Sequence, residues 1–532
     1  MVRPKANVFP PVTLAGPVLR QPHPSSLSVL PRVAAEPHEN LPGLCVAVGW
    51  GAPPRPPANS HFRYFFRTPV PLVAAVLLFV SLVGCAHAPI NAPLARYQPN
   101  AGYRFDQLAP GDNTDSLFVV LTFSGGGTRA AALSYGVLKA LRETPIVWQG
   151  KTKRLLDEAD LISTVSGGSF TGAYYALFGD RTFDGFESRF LKRDIEGELT
   201  SELWNPVTLI RLASPSFDRI DLAAELYDRT IFEGKTYEAL VSRPRRPFLV
   251  INATNMYLGE RFEFIQDRFD QLGSDLSSYP VARAVAASSA FPILLSPITL
   301  ENYPSPPGYE QPEWVQNALG DYNLNRRRYL QAKEWLLYTD KADHPYIHLL
   351  DGGLADNIGL RYVTDSIRDA DRPGGIRQLI NQGKIDKMVV IIVNARTEPP
   401  ERIDKKPRAP NVAEVAMKTA TVAMDNYSFE TIELIKDIAD AREQAVRSVQ
   451  GCRQVLAERC PAAARPPALK AMKFYIIEVN FENIADPKER EEFLSLPTSF
   501  RLEPAVVDRL IQKGGDLLRR SPEFNELLKD LH

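Results

Sequence analysis

Three short stretches of this 532-residue chain place serine, aspartate and glycine where acyl-transfer chemistry would need them. The first candidate nucleophile lies in Ser163-Thr-Val-Ser-Gly-Gly-Ser-Phe170. A serine between a strand and a helix, flanked by glycine, has the pattern of a nucleophile elbow, with Thr164 in the first glycine place of G-x-S-x-G. Ser163 falls inside the strand and Ser169 in the first helical turn, so Ser166 is the best candidate of the three. The plain alternative is a loop or helix cap. Asp351, in His348-Leu-Leu-Asp-Gly-Gly-Leu-Ala-Asp-Asn-Ile-Gly359, follows an apolar strand and precedes two glycines. A carboxylate fixed by such a turn can orient or deprotonate a serine. Asp356 and Asn357 read as the cap of the next helix.

The third stretch is Phe123-Ser-Gly-Gly-Gly-Thr-Arg-Ala130. Three successive glycines let N–H groups converge at a helix start, where they can bind an anion or a developing oxyanion. The stretch also fits G-x-G-x-x-A. A dinucleotide site needs an acid at the end of the next strand, and that strand ends in Val165-Ser166-Gly167. No Gly-Lys-Ser/Thr follows, so it is not a phosphate-binding P-loop. Histidine is poorly placed to serve as a base. After Asp351 only His532 remains, and His348 and Asp351 point to opposite faces of one strand. A Ser–Asp dyad is the simpler arrangement.

These turns must be held by buried strands. Leu117–Phe123, Leu161–Val165, Phe248–Thr254, Ile347–Leu350, Met388–Val393 and Phe474–Val479 are short apolar runs separated by helical stretches. The expected fold is α/β, a three-layer sandwich around a largely parallel sheet, with sites at the carboxyl ends of strands. The catalytic domain is expected over 115–400, with an inserted segment at 301–345. A helical extension over 401–532 is expected to pack on it. Residues 203–213 (Leu-Trp-Asn-Pro-Val-Thr-Leu-Ile-Arg-Leu-Ala) read as an interfacial lid or, as such stretches more often are, buried core. Arg326–Trp335 is a basic-aromatic helix, read as a solvated face or a contact for lipid headgroups.

Taken in order, Ser124-Gly-Gly-Gly-Thr-Arg129, Ser166-Gly-Gly168, Ala284-Val-Ala-Ala-Ser-Ser-Ala-Phe-Pro292 and Asp351-Gly-Gly353 resemble the patatin-like phospholipases. The resemblance implies a lipid acyl hydrolase, a phospholipase A or lysophospholipase that cleaves membrane lipid esters without cofactor or metal. It implies Ser166 as nucleophile, Asp351 as general base, and Gly125, Gly126 and Gly127 as oxyanion donors. Arg129 stands where the family keeps a basic residue and is assigned to substrate binding. Its bland alternative is pairing with a structural carboxylate. Against the enzyme stands a catalytically inactive lipid-anchored scaffold.

The amino-terminal part is different material. Residues 1–84 hold seven Lys/Arg and two acids, net +5, so the other 448 residues carry −6 of the overall −1. That balance excludes a strongly basic nucleic-acid binder. Residues 1–60 hold 13 of 44 prolines and read as disordered or as a start site set too early. A basic patch and a 14-residue apolar run over 61–84 suit a signal peptide. The following Leu82-Val-Gly-Cys85 resembles the bacterial lipoprotein signal. That resemblance implies a lipid on Cys85, a tether over 85–114 and a place on the cell envelope at the periplasmic face. Cys452 and Cys460 would then form a possible disulfide.

Overall fold

The computed structural model describes residues 91–531 apart from 215–216, 293, 369–374, 399–406 and 408. The proline-rich start, the expected signal peptide and Cys85 lie outside the described residues.

The principal elements are β1 (Leu117–Phe123), α1 (Gly127–Arg142), β2 (Ala159–Val165), α2 (Gly167–Phe178), α3 (Ile195–Glu202), α4 (Pro206–Leu212), α5 (Arg219–Tyr227), β3 (Phe248–Asn255) and β4 (Arg261–Glu263). They continue with α6 (Val281–Ser288), β5 (Ile298–Glu301), α7 (Arg326–Thr339), β6 (Tyr346–Asp351), α8 (Gly353–Asp356), β7 (Lys387–Asn394), α9 (Val412–Arg459), β8 (Lys473–Asn480), α10 (Pro504–Arg520) and α11 (Pro522–Leu531). One eight-stranded sheet runs β8-β7-β1-β2-β3-β6-β5, with β4 also paired to β3. Every residue of β1, β2 and β3 is buried, as a sheet covered on both faces requires. Helices α1, α2 and α10 pack together, and α9 packs with Arg361–Arg368. The sheet is thus mostly parallel within an α/β/α sandwich.

Strands β8, β7, β1, β2 and β3 are parallel, whereas β6 and β4 run antiparallel to β3 and β5 pairs antiparallel with β6. This mixed half positions the aspartate. Val165, the last residue of β2, pairs with Asn252, and Asp351, the last of β6, pairs with Ala253. Strand β4 occupies the other edge of β3 at both positions. β2 and β6 therefore meet head to head along one edge of β3, and both carboxyl ends arrive at the same place.

Three expectations change. The stretch read as a tether is docked from residue 91 onward. Ala92–Pro93 pairs with Ser274–Asp275, the Tyr103 hydroxyl accepts from Leu249 N–H at 2.7 Å, and buried Arg104 bridges Asp267 and Asp270. The carboxyl-terminal region is more than a helical extension, because β8 is an edge strand of the main sheet. Its alternating burial fits a strand with one covered face. Finally, Cys452 and Cys460 are free and exposed. Cys452 lies in the last turns of α9 and Cys460 caps its end, and eight helical residues rise about 12 Å. A disulfide needs Cα atoms within roughly 7 Å.

Candidate active site

The Ser166 turn is strained. Its φ of +48° and ψ of −119° lie where a side chain rarely sits, between the last residue of β2 and the first of α2. The sharp turn lifts the hydroxyl out of the strand line. Gly167 permits it: a Cβ there would lie 2.1 Å from the Gly127 carbonyl oxygen, so the elbow and the glycine loop touch through backbone alone. Thr164 is accommodated by Gly172, opposite its methyl group, while its hydroxyl donates to Val250 C=O.

Asp351 is buried, its carboxylate accepts from Gly353 N–H at 2.8 Å, and the Ser166 side chain is the second hydrogen-bonding group that acts on it. Burial pushes the carboxyl up to about 7, with both hydrogen bonds opposing the shift. The two other serines of the elbow are engaged elsewhere. Ser163 Oγ accepts from the Asn252 amide, and Ser169 Oγ bonds Thr164. Neither His348 nor His344 joins the site: His348 is exposed and meets Thr299 on β5, and His344 lies against Tyr257.

The glycine loop follows β1 where the sheet order turns, with β2 on one side and β7 on the other. Gly126 and Gly127 take φ values of +133° and +59°, and their N–H groups meet no acceptor among the described residues. Gly125 differs: its N–H donates to Asn357 C=O at 2.9 Å. Its expected oxyanion role is blocked in this geometry. The Asn357 side-chain oxygen is buried, has no hydrogen-bond partner among the described residues, and faces Gly125 and Gly353. Asp356 caps the following turn as expected, accepting from Leu360 and Arg361 N–H.

Arg129 does not face an open site. It is buried, and its guanidinium donates to the carbonyls of Ala395, Leu496 and Pro497 and to Thr498 Oγ1. Burial lowers its pKa to about 10. The substrate-binding role expected for it gives way to a structural one, and its partners are carbonyl dipoles rather than the anticipated carboxylate. It fastens the start of α1 to segments that follow β7 and precede α10.

Ser288, the last residue of α6, went unassigned in the sequence. Its hydroxyl accepts from Ser166 N–H at 2.8 Å and donates to Asn252 C=O at 2.6 Å. Its own carbonyl accepts from Gly352 N–H at 3.1 Å, and that of Ala290 accepts from Asp351 N–H at 3.0 Å. One helix end thus grips both the serine turn and the aspartate turn. Its sequence signal was its place in the Ala284–Pro292 block, which carried the family resemblance but no assigned role.

Residues 121–364 match the family model described as patatin-like phospholipase. This span is similar to a patatin-like phospholipase domain. The patatin-like domain contains Ser166, Asp351, the glycine loop and Ser288, while β7, α9, β8 and α10 lie beyond the matched span. Among solved structures, human GIVD cytosolic phospholipase A2 matches at 13% identity over 78% of this chain and 62% of its own, with a TM-score of 0.39. This chain therefore spans less than two thirds of that protein. VipD from Legionella pneumophila matches at 13% identity over 76% and 68%, with a TM-score of 0.25. ExoU from the type III secretion system of Pseudomonas aeruginosa, solved with SpcU, matches at 16% over 79% and 91%, with a TM-score of 0.20. No curated protein matches the chain.

Proposed function

We propose that this protein is a serine acyl hydrolase of phospholipase A or lysophospholipase type, cleaving acyl esters of membrane lipids through Ser166 and Asp351. The observation that carries the reading is the placing of Ser166, at a strained strand-to-helix turn, beside the buried carboxylate of Asp351. Asp351 takes the hydroxyl proton as Ser166 Oγ attacks the ester carbonyl. The N–H groups of Gly126 and Gly127 receive the developing oxyanion. The proton passes to the departing alcohol oxygen as the ester C–O bond breaks, leaving an acyl-serine. Asp351 then deprotonates a water that releases the fatty acid and restores the serine.

The test is purified Ser166→Ala, which should lose ester hydrolysis with an unchanged circular dichroism spectrum. A fluorophosphonate should label the Ser166 peptide and no other. Retained hydrolysis in folded Ser166→Ala sinks the assignment. The sequence also supports export through residues 61–84 and lipidation at Cys85 on the bacterial envelope, because basic patch, core length and Leu-Val-Gly-Cys agree. Incorporation of a clickable fatty acid should be lost in Cys85→Ser; equal labelling of that variant would refute the anchor.

A further inference from the structure

We infer that residues 203–213 form a docking element for a zwitterionic lipid surface, held beside the Ser166 site. The inference rests on the acyl-hydrolase reading for what the surface delivers. The stretch read as core or lid is not core. Trp204, Val207, Leu209 and Ile210 are 80%, 64%, 52% and 65% exposed, and in α4 only Thr208 is buried. Val207 and Ile210 lie three residues apart on one side of the helix, and Trp204 stands just before its cap. The helix is set in place before any partner arrives. Asn205 caps it by accepting from Val207 N–H, Pro206 begins it, and Arg211 ties it to Glu225 and stacks on Phe217 at 3.8 Å.

Both flanks are fastened to the catalytic turns. On one side, Glu196 of α3 accepts from Ser499 Oγ at 2.6 Å, and the Ser499 carbonyl accepts from Thr128 N–H beside the glycine loop. On the other, Asp218 before α5 bonds Ser296, and Asp221 pairs with Arg283 of α6 at 2.6 Å. Ser296 ends the loop that leaves Ala290, whose carbonyl holds Asp351 N–H; Leu294 in that loop is 62% exposed. The apolar element is thus continuous through both anchors with the two halves of the site.

The occupant follows from size and charge. A stable protein interface takes roughly 20–30 residues a side, far more than these few side chains supply. A lipid surface needs only a few apolar side chains with tryptophan at the boundary. Residues 195–229 carry seven acids against three bases, so attraction to anionic headgroups is absent and insertion alone must hold the contact.

The experiment uses the full chain with Cys85→Ser, so that no acyl anchor contributes, and vesicles of phosphatidylcholine. The protein should sediment with the vesicles, with little loss in high salt, and its tryptophan emission should shift to the blue. Trp204→Phe should abolish the shift. Ile210→Asp should weaken sedimentation roughly 10–100-fold, and Val207→Asp similarly. Hydrolysis of vesicle lipid should fall in these variants relative to hydrolysis of a soluble short-chain ester. Undiminished vesicle binding by folded Ile210→Asp and Val207→Asp overturns the inference. So does binding confined to anionic vesicles, or a dimer in sedimentation equilibrium that Ile210→Asp dissociates. If wild-type protein hydrolyses no ester at all, the acyl-hydrolase reading fails, and vesicle binding is judged separately by sedimentation.

Discussion

At Asp351, burial and hydrogen bonding act in opposite directions, and burial prevails, leaving the carboxyl near 7 rather than 3.8. In the proposed mechanism Asp351 acts as an ionised base, so kcat is expected to rise with pH through about 7, and Asp351→Asn to lose that limb together with activity. The same shift has a stability consequence. The folded protein keeps a proton that the unfolded chain releases near 3.8, so the associated stability is complete below that pH and lost as pH rises through about 7. Thermal melts should therefore find Asp351→Asn more stable than wild type at pH 8, with the difference closing near pH 4. Ser288 acts through its neighbours as a positioning residue. Ser288→Ala orphans Ser166 N–H and Asn252 C=O, each worth about 1–3 kcal/mol when buried. Expected is a kcat loss of roughly ten- to a hundredfold with KM little changed, and equal losses in kcat and KM would contradict the role. Ser166 and Asp351 were legible because glycine-flanked turns after apolar strands leave few other uses for these residue types. Ser288 was not, since its partners are 36 and 122 positions away.

Among the elements, α1 carries the glycine loop and depends on α10 behind it. A Cβ on Gly136 of α1 would lie 2.0 Å from the Ile511 carbonyl oxygen of α10. Gly136→Ala should force the pair apart and lower the melting temperature markedly, through overpacking of about 1–3 kcal/mol. An unchanged melt would show that the contact yields easily. Helix α9 makes a different prediction. With Cys452 and Cys460 exposed and spread along one helix, a thiol reagent should titrate both in native, unreduced protein. A disulfide-linked Cys452–Cys460 peptide would contradict this. The helix is legible as a helix; a Cys452–Cys460 pair suits an oxidising compartment, but helical rise decides against it.

For the whole molecule, the folded unit exceeds the patatin-like span of 121–364. Strand β8 covers the edge of β7, α10 backs α1, and Arg129 is held by carbonyls at 395, 496 and 497. A chain ending at residue 400 should therefore fail to give a cooperative melt or a soluble monomer; a sharp transition from that truncation would show that the later elements are dispensable. The charge partition between residues 1–84 and the rest remains a property of the sequence, and so do the buried strands, the glycine turns and their order. Those features are local: apolar runs of strand length, and residue types with special backbone freedom, mark themselves without reference to distant neighbours. Tertiary structure decided what depends on separation in space. It ran β6 against β3 so that its end meets β2, spent Arg129 and the Gly125 N–H on internal contacts, and left Trp204 and Ile210 in solvent. Each outcome depends on which distant backbone or side-chain groups compete for the same donor, edge or surface, and that competition exists only once the chain has closed on itself.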